Sequence, residues 1–473
     1  MSCVIWWIRR DLRLGDNHAL HTALASGATV VPVFIMDPHR LQFPAAKRQA
    51  FLMAGLRQLD ASLRERGSRL IIRQGNPLDE LRALCYATQA TAIFAEEAYS
   101  PYARRRDADV AGQLPLRLMP GLTVQHPATL VKANGTPYTT FGPFMRAWKS
   151  RSLPTPADLL PMPARLPAVP PDLLSRELPD ANPPAGFPAG EREAQRRLQA
   201  FTDGPQAGIH AYHNRRNVLV DGATSELSPY LRFGMISPRQ AVIAAHRVQS
   251  FAGDGHASSG ADAWLDELIW REFYHALLFH FPETMQEALR ADRRSIAWIN
   301  NEDDFTAWCD GRTGYPIVDA AMRQLVYTGW LPNRARLIVA SFLVKDLLVD
   351  WRWGARRFME HLIDGDAAAN TGGWQWTAGT GGDAAPYFRV FNPILQAQTF
   401  DPGGLYIRRW LPELQRVPKR FIHKPWTMPV DVQREANCII GHDYPAPIID
   451  HEMARQRALA AYRRVEGQGS SQG

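Results

Sequence analysis

The stretch Val4-Ile5-Trp6-Trp7-Ile8-Arg9-Arg10-Asp11-Leu12-Arg13-Leu14 begins with five apolar residues and turns abruptly to charge. A short apolar run of this kind suits a strand covered on both faces, as in a parallel sheet. The charged turn then decides which kind of sheet. A dinucleotide-binding sheet carries G-x-G-x-x-G at this point, because the backbone must approach a pyrophosphate closely; Arg9 to Leu14 contains no glycine. A parallel α/β sheet is therefore expected, without a dinucleotide held in the usual Rossmann manner.

Working outward, short β-branched runs alternate with helical stretches over the first 150 residues. Val4–Ile8, Thr29–Met36, Arg69–Arg73, Thr91–Ala95 and Leu122–Gln125 read as strands, with helices on both faces of the sheet. From Pro154 to Pro188 there are eleven prolines and almost no periodicity, which predicts a semi-extended connector. After Gly190 the pattern is helical to about residue 465, with segments at Asp262–Phe281, Ile317–Tyr327, Ala335–Trp351 and Ala355–Ile363, before a Gly, Ser and Gln tail from Gly467. The expected organisation is an α/β domain over 1–150, a linker over 151–190 and an all-helical domain over 191–473.

At 473 residues and 45% hydrophobic, the chain is too long for a single core. Lys and Arg outnumber Asp and Glu by 54 to 47, a net +7 that permits a polyanionic partner without requiring one. Cys3, Cys85, Cys309 and Cys438 are scattered without metal-ligand spacing, so neither a zinc site nor a disulfide framework is expected. The Val4–Ile8 run is too short for a signal-peptide core, and no stretch of eighteen apolar residues follows. A cytoplasmic protein without a membrane span is expected.

Nine of the fourteen tryptophans fall between Trp264 and Trp376, among Glu267, Asn333, Arg334, Arg336, Asp364, Asp366 and Asn370. Large rings beside a few polar groups suit stacking on a flat ligand such as a flavin or nucleobase, and equally suit a plain aromatic core. On a wheel for 262–281, Leu265, Leu268, Ile269, Phe273 and Leu277 form an apolar arc. Trp264, Glu267 and Arg271 lie opposite, with Trp270 at the edge. Glu267 and Arg271 either line a cleft or form an exposed i,i+4 pair. Asn333 and Leu337 share a helix face, Asp364-Gly365-Asp366 reads as a helix end, and the glycines between Gly372 and Gly382 permit either close ligand approach or a helix cap.

Taken in order, five segments resemble the photolyase and cryptochrome flavoprotein family over nearly the whole chain: Ile8–Asn17, Thr224–Gly234, Glu267–Tyr274, Thr313–Arg323 and Asp364–Trp376. Within the family the likeness is greatest to bacterial photolyases that repair cyclobutane pyrimidine dimers. The resemblance implies an N-terminal antenna domain and a C-terminal helical domain holding one noncovalent FAD. The implied flavin contacts are Tyr212, Thr224, Ser225, Leu227, Ser228, Trp264, Glu267, Arg336, Asp364, Asp366 and Asn370, with Asn370 facing flavin N5. The implied partner is UV-damaged DNA. Its dimer is flipped out, a step that costs less for a damaged pair. Glu267 and Asn333 would bond the dimer, and Trp270 and Trp376 would pack on its two pyrimidines. Arg216, Arg334 and Arg389 would face phosphates, with Arg271 and Leu337 also near the DNA. Trp374, Trp351 and Trp298 match the family's electron relay, and core packing is the default for Trp353. A monomer is expected.

The chain departs from the pattern at Leu337, where dimer photolyases generally resemble one another in having Met; leucine keeps size but loses the polarizable sulfur. Photolyases for (6-4) photoproducts have a histidine pair at the positions of Asn333 and Leu337, so that substrate is not expected. Tyr102 and Ala103 stand where folate-binding relatives have an Asn-Glu pair, which leaves a folate, a deazaflavin, another flavin or no antenna open. Asn370, Glu267, Trp270 and Trp376, with the short stretch after residue 465, favour the repair enzyme over the alternative, a blue-light signalling cryptochrome.

Overall fold

The computed structural model describes residues 2–220, 222–252 and 256–469. Strands β1 (Cys3–Ile8), β2 (Thr29–Met36), β3 (Ile71–Gln74), β4 (Ala90–Glu96) and β5 (Leu116–Met119) form one sheet in the order β3-β2-β1-β4-β5. All four pairings are parallel, with Ile5 opposite Val31 on one side and Ile93 on the other. Parallel neighbours need crossover connections, and the helices His18–Ala25, Ala46–Arg64, Pro77–Thr88 and Pro101–Ala111 provide them. All six residues of β1 are buried, as a strand covered on both faces requires.

The fifth strand is not where the sequence suggested. It is Leu116–Met119, paired with β4, while Leu122–Gln125 makes no ladder. The backbone amides of Val124 and Gln125 donate instead to the Glu272 carboxylate. Leu122 and Thr123 are buried because that segment is tied to a helix, and the burial imitates a strand.

The charged turn after β1 is held from within. Asp11 accepts from the Trp6 indole at 3.0 Å and from the Arg9 amide at 2.8 Å, and Asn17 caps the next helix through the Leu20 amide. Buried Arg13 pairs with Glu96 at 2.5 Å. Gly234, at φ +62°, is required by close approach, since a Cβ there would run into the Arg10 carbonyl.

After β5 every named element among the described residues is helical, so the α/β-then-helical fold class holds. The 262–281 helix is longer than expected, His256–His280, and Pro316–Thr328 matches its expectation within a residue. The single helix expected over Ala335–Trp351 is broken. Asn333–Ser341 passes into a π-turn at Phe342–Asp346, Leu348 takes a left-handed φ of +52°, and Asp350 caps a new helix, Trp351–His361. The run from Ile338 to Val349 is buried throughout and carries no period that would reveal the break. Asp364-Gly365-Asp366 does not end a helix either: it lies between two, and Asp366 accepts from the Ala368 amide at the start of Ala367–Ala378. The terminal helix His451–Gly469 runs into the stretch read as a tail, whose residues 470–473 lie outside the described ones.

Contacts divide the chain into two compact units, Met1–His213 with Ser225–Pro282 and Ile363–Ala368, and Asn214–Thr224 with Glu283–Leu362 and Ala369–Gly473. No helix among the described residues is long and apolar enough to cross a membrane.

Candidate functional site

In the first unit the apolar arc of the helix His256–His280, Leu265, Leu268, Ile269, Phe273 and Leu277, is buried, and of the residues opposite it Glu267, Trp270 and Arg271 are half-buried while Trp264 is buried. Trp264 belongs to an aromatic wall, tilted on Phe201 at 5.2 Å, which meets Tyr212 edge-on at 5.8 Å. Glu267 and Arg271 are both half-buried rather than an exposed pair. Arg271 donates to the Leu122 carbonyl at 2.9 Å. Trp270 stacks on Phe141 with centroids 3.7 Å apart and planes within 9°.

The same helix carries two buried polar residues that periodicity did not single out. Glu272 accepts from the Trp148 indole at 2.6 Å as well as from Val124 and Gln125. His275 lies 3.8 Å from Asp366. Around Asp366 gather Arg10 at 2.5 Å and Arg232 at 3.9 Å, and Arg232 also donates to the Gly365 carbonyl at 2.7 Å. Burial alone would raise the Asp366 carboxyl, but Arg10, Arg232 and Arg271 outweigh it and hold the group well below the usual carboxylate range. His275 adds no charge at neutral pH, because burial pushes it down to about 3. Arg232 is itself lowered by burial and then by Arg10, with Arg40 and Arg48 contributing, so five arginines including Arg271 share this region with few carboxylates. Ser225, Leu227, Ser228 and Asp364 also belong to this unit.

In the second unit Arg334, Leu337, Trp376 and Arg389 line one cavity of about 400 Å³, together with Phe391 and Asn392. The Arg334 guanidinium donates to Asn217 at 2.9 and 3.2 Å and lies over the Phe400 ring at 4.3 Å. Burial lowers its pKa, and the like charges of Arg216 and Arg389 lower it further. Three arginines separated by up to 173 positions are thus brought together on one side of this unit. Asn333 is exposed at the start of its helix, one turn before half-buried Leu337. Asn370 donates to the Ala355 carbonyl at 3.0 Å and Arg336 to the Leu331 carbonyl at 2.9 Å, so both side chains have fixed orientations. Gly379, at φ +76°, lies just past the helix end at Ala378, which favours the cap reading for that glycine.

Trp374 and Trp351 are buried and Trp298 is half-buried against Tyr462. The rings in contact with Trp374 are Trp308, at 6.2 Å, and Phe358, at 5.0 Å. Trp308 is a further member of the tryptophan cluster. It is fully buried, donates to the Val339 carbonyl at 3.0 Å and stacks on Phe305, which meets Trp353 at 5.1 Å. Trp353 is therefore part of a second aromatic file. Gly354 is the counterpart of this packing, since a Cβ there would run into the Trp374 ring. No cluster of three or more metal-ligating side chains occurs among the described residues.

Residues 4–167 match the DNA photolyase family, and residues 264–464 match the FAD binding domain of DNA photolyase. The chain is 40% identical to a deoxyribodipyrimidine photo-lyase of Synechococcus sp., over 98% of this chain and 97% of that one. It superposes on a class III photolyase from Agrobacterium tumefaciens with a TM-score of 0.91, 37% identity and coverage of 99% and 98%. A cryptochrome from Synechocystis sp. gives 0.89 at 29% identity, with coverage of 98% and 99%. With a parallel sheet, a helical flavin-binding region and likeness along the full length in agreement, this chain belongs to the DNA photolyase family of flavoproteins.

Proposed function

We propose that this protein is a deoxyribodipyrimidine photolyase, a carbon-carbon lyase that uses light to split cyclobutane pyrimidine dimers in DNA. The observation that carries the reading is the cavity lined by Trp376, Leu337, Arg334 and Arg389 in a chain with full-length likeness to enzymes of that name. When bound, fully reduced FAD excited by near-UV or blue light supplies the electron that opens the dimer and takes it back, so the reaction is redox-neutral.

The residues fit that cofactor. The wall formed by Trp264, Phe201 and Tyr212 offers flat apolar surface, while Thr224, Ser225 and Ser228 offer hydroxyls. Leu227, Glu267, Arg336, Asp364 and Asp366 complete the proposed contacts. Because Asn370 donates through its amide nitrogen to Ala355, its oxygen is left to accept from N5–H of the reduced ring.

Trp270 and Trp376 give the flipped pyrimidines flat walls, and Asn333 bonds the lesion's edge. Glu267, in its protonated form, donates to the dimer, and the bond gains strength as negative charge develops there, a gain made beyond the ground state. Arg216, Arg334 and Arg389 hold phosphates, with Arg271, whose guanidinium donates to the Leu122 carbonyl, also near the DNA. Trp374, Trp351 and Trp298 carry electrons from outside to the flavin.

A second, antenna chromophore is proposed for the domain over 1–150, with flavin and lesion binding assigned to 191–473 and the linker to 151–190. With Tyr102 and Ala103 in place of the folate-binding Asn-Glu pair, a folate, a deazaflavin or another flavin would fill that role. The proposed state is a cytoplasmic monomer.

One light-dependent repair assay on defined lesions tests the reading: dimers should be split, (6-4) photoproducts should not, and nothing should happen in the dark. Leu337→Met should alter repair only modestly, since such a swap costs under about 1.5 kcal/mol in packing. Leu337, which departs from the dimer-photolyase pattern, and the likeness to a Synechocystis cryptochrome favour a signalling cryptochrome, and absence of any dimer repair with confirmed reduced flavin would bring that reading forward.

A further inference from the structure

Trp270 stands on a helix surface, half-buried, where an indole ordinarily keeps some rotational freedom. Here it has little. Phe141 covers one face in a near-parallel stack, 3.7 Å between centroids and 9° between planes. Phe273 meets the indole edge-on at 5.7 Å, and Tyr274 is tilted against it at 5.4 Å. One face is thus backed by a parallel ring, and the remaining neighbours are tilted or perpendicular to the plane.

Phe141 is itself immobilised. It is the first residue of the helix Phe141–Lys149, which is fastened to His256–His280 at its far end by Trp148 to Glu272 and Lys149 to Asp266, both at 2.6 Å. Between these points Phe144 packs on Phe273 at 5.2 Å. A helix held by a buried hydrogen bond, an ion pair and three ring contacts, Phe141 with Trp270 and Phe273 and Phe144 with Phe273, keeps Phe141 where it is.

We propose that Phe141 is a positioning residue for lesion recognition: it backs Trp270 so that the opposite indole face is presented, in a fixed plane, to a pyrimidine of the flipped dimer. Stacking gains depend on near-parallel geometry, and a ring ordered before binding avoids the cost of ordering it during binding. The proposal rests on the reading of Trp270 as a lesion wall. The opposite arrangement, in which the Phe141 ring holds the place that a pyrimidine takes over, makes the contrary prediction.

The test uses the full-length protein, dark binding titrations on an oligonucleotide with one thymine dimer, and the same sequence undamaged. Phe141→Leu keeps apolar volume but loses the parallel ring, and should weaken dimer binding roughly 2- to 10-fold, the range for an aromatic pair beyond its buried area. Binding to undamaged DNA, bound FAD and repair yield at saturating DNA should hold, so the effect falls on affinity and not on turnover. Phe141→Tyr should restore binding. In a Trp270→Ala background, Phe141→Leu should cost nothing further, because the two act as one unit. Should Phe141→Leu fail to fold, Phe141→Met carries the same test.

Unchanged discrimination in Phe141→Leu, while Trp270→Ala loses it, would overturn the proposal alone. Tighter dimer binding would overturn it in favour of the place-holding arrangement. Normal discrimination in Trp270→Ala would remove the lesion-wall reading, and the proposal with it.

Discussion

Arg334→Gln isolates the phosphate-binding role from the lesion-binding role. Arg216 and Arg389 both act electrostatically on Arg334, and Arg334 and Arg389 line the same cavity. If each neutralises one phosphate, at about 0.9 per contact the three contribute about 2.7 to the slope of log affinity against log salt. That corresponds to about a 40-fold loss of affinity between 50 and 200 mM salt. With glutamine at 334 the contribution falls to about 1.8 and the loss over the same range to about 12-fold. The fold should tolerate the change. Glutamine retains a donor for Asn217, and the lost cation–π contact with Phe400, about 0.5 to 1 kcal/mol at an exposed site, is offset by relief of repulsion from Arg216 and Arg389. The assay is a dark titration of dimer-containing and undamaged oligonucleotides at four or more salt concentrations. Both should weaken by the same factor, because a phosphate contact reads no sequence and no lesion. An unchanged slope, or a loss confined to the damaged oligonucleotide, would refute the assignment.

Three further outcomes are expected. Trp374→Phe should keep the fold and bound FAD yet lose light-driven reduction of oxidised flavin, while repair by chemically reduced enzyme persists; normal photoreduction would remove Trp374 from the relay. His275 is held at about 3, chiefly by burial and then by Arg271, Arg10 and Arg232 against the pull of Asp366, whereas an unfolded histidine titrates near 6.5. The unfolded chain therefore binds the extra proton as pH falls below about 6.5, and stability should decline by about 2 kcal/mol between pH 7 and 5. His275→Leu should flatten that decline in denaturant titrations at the two pH values, and an equal slope in both proteins would contradict the account. Gly354→Ala should cost about 1 to 3 kcal/mol, since the added methyl meets the Trp374 ring and Leu343, and the check is a shifted denaturation midpoint with an unaltered m-value.

Composition and local pattern were enough for the first four strands, because each contains a buried β-branched or aromatic pair or longer run, Ile71-Ile72 in β3 and Ile93-Phe94 in β4, with helical neighbours along the chain. They were enough, too, to exclude the usual dinucleotide loop, since that absence is a matter of residue type in one turn. Family likeness rested on ordered motifs and needed no coordinates. What local pattern could not supply was any choice made by partners distant in the chain. Leu116–Met119 is a strand because β4 offers it an edge, and Leu122–Gln125 is not one because Glu272, almost 150 positions away, takes its amides. The break at Leu348 is hidden because burial on all sides erases helical period. Asp366 owes its charge to Arg10, 356 positions earlier, and Trp374 finds Trp308, not Trp351, as its ring neighbour. Electrostatic and aromatic contacts act through space at a few ångströms, so only the folded chain determines which of many arginines and indoles will meet.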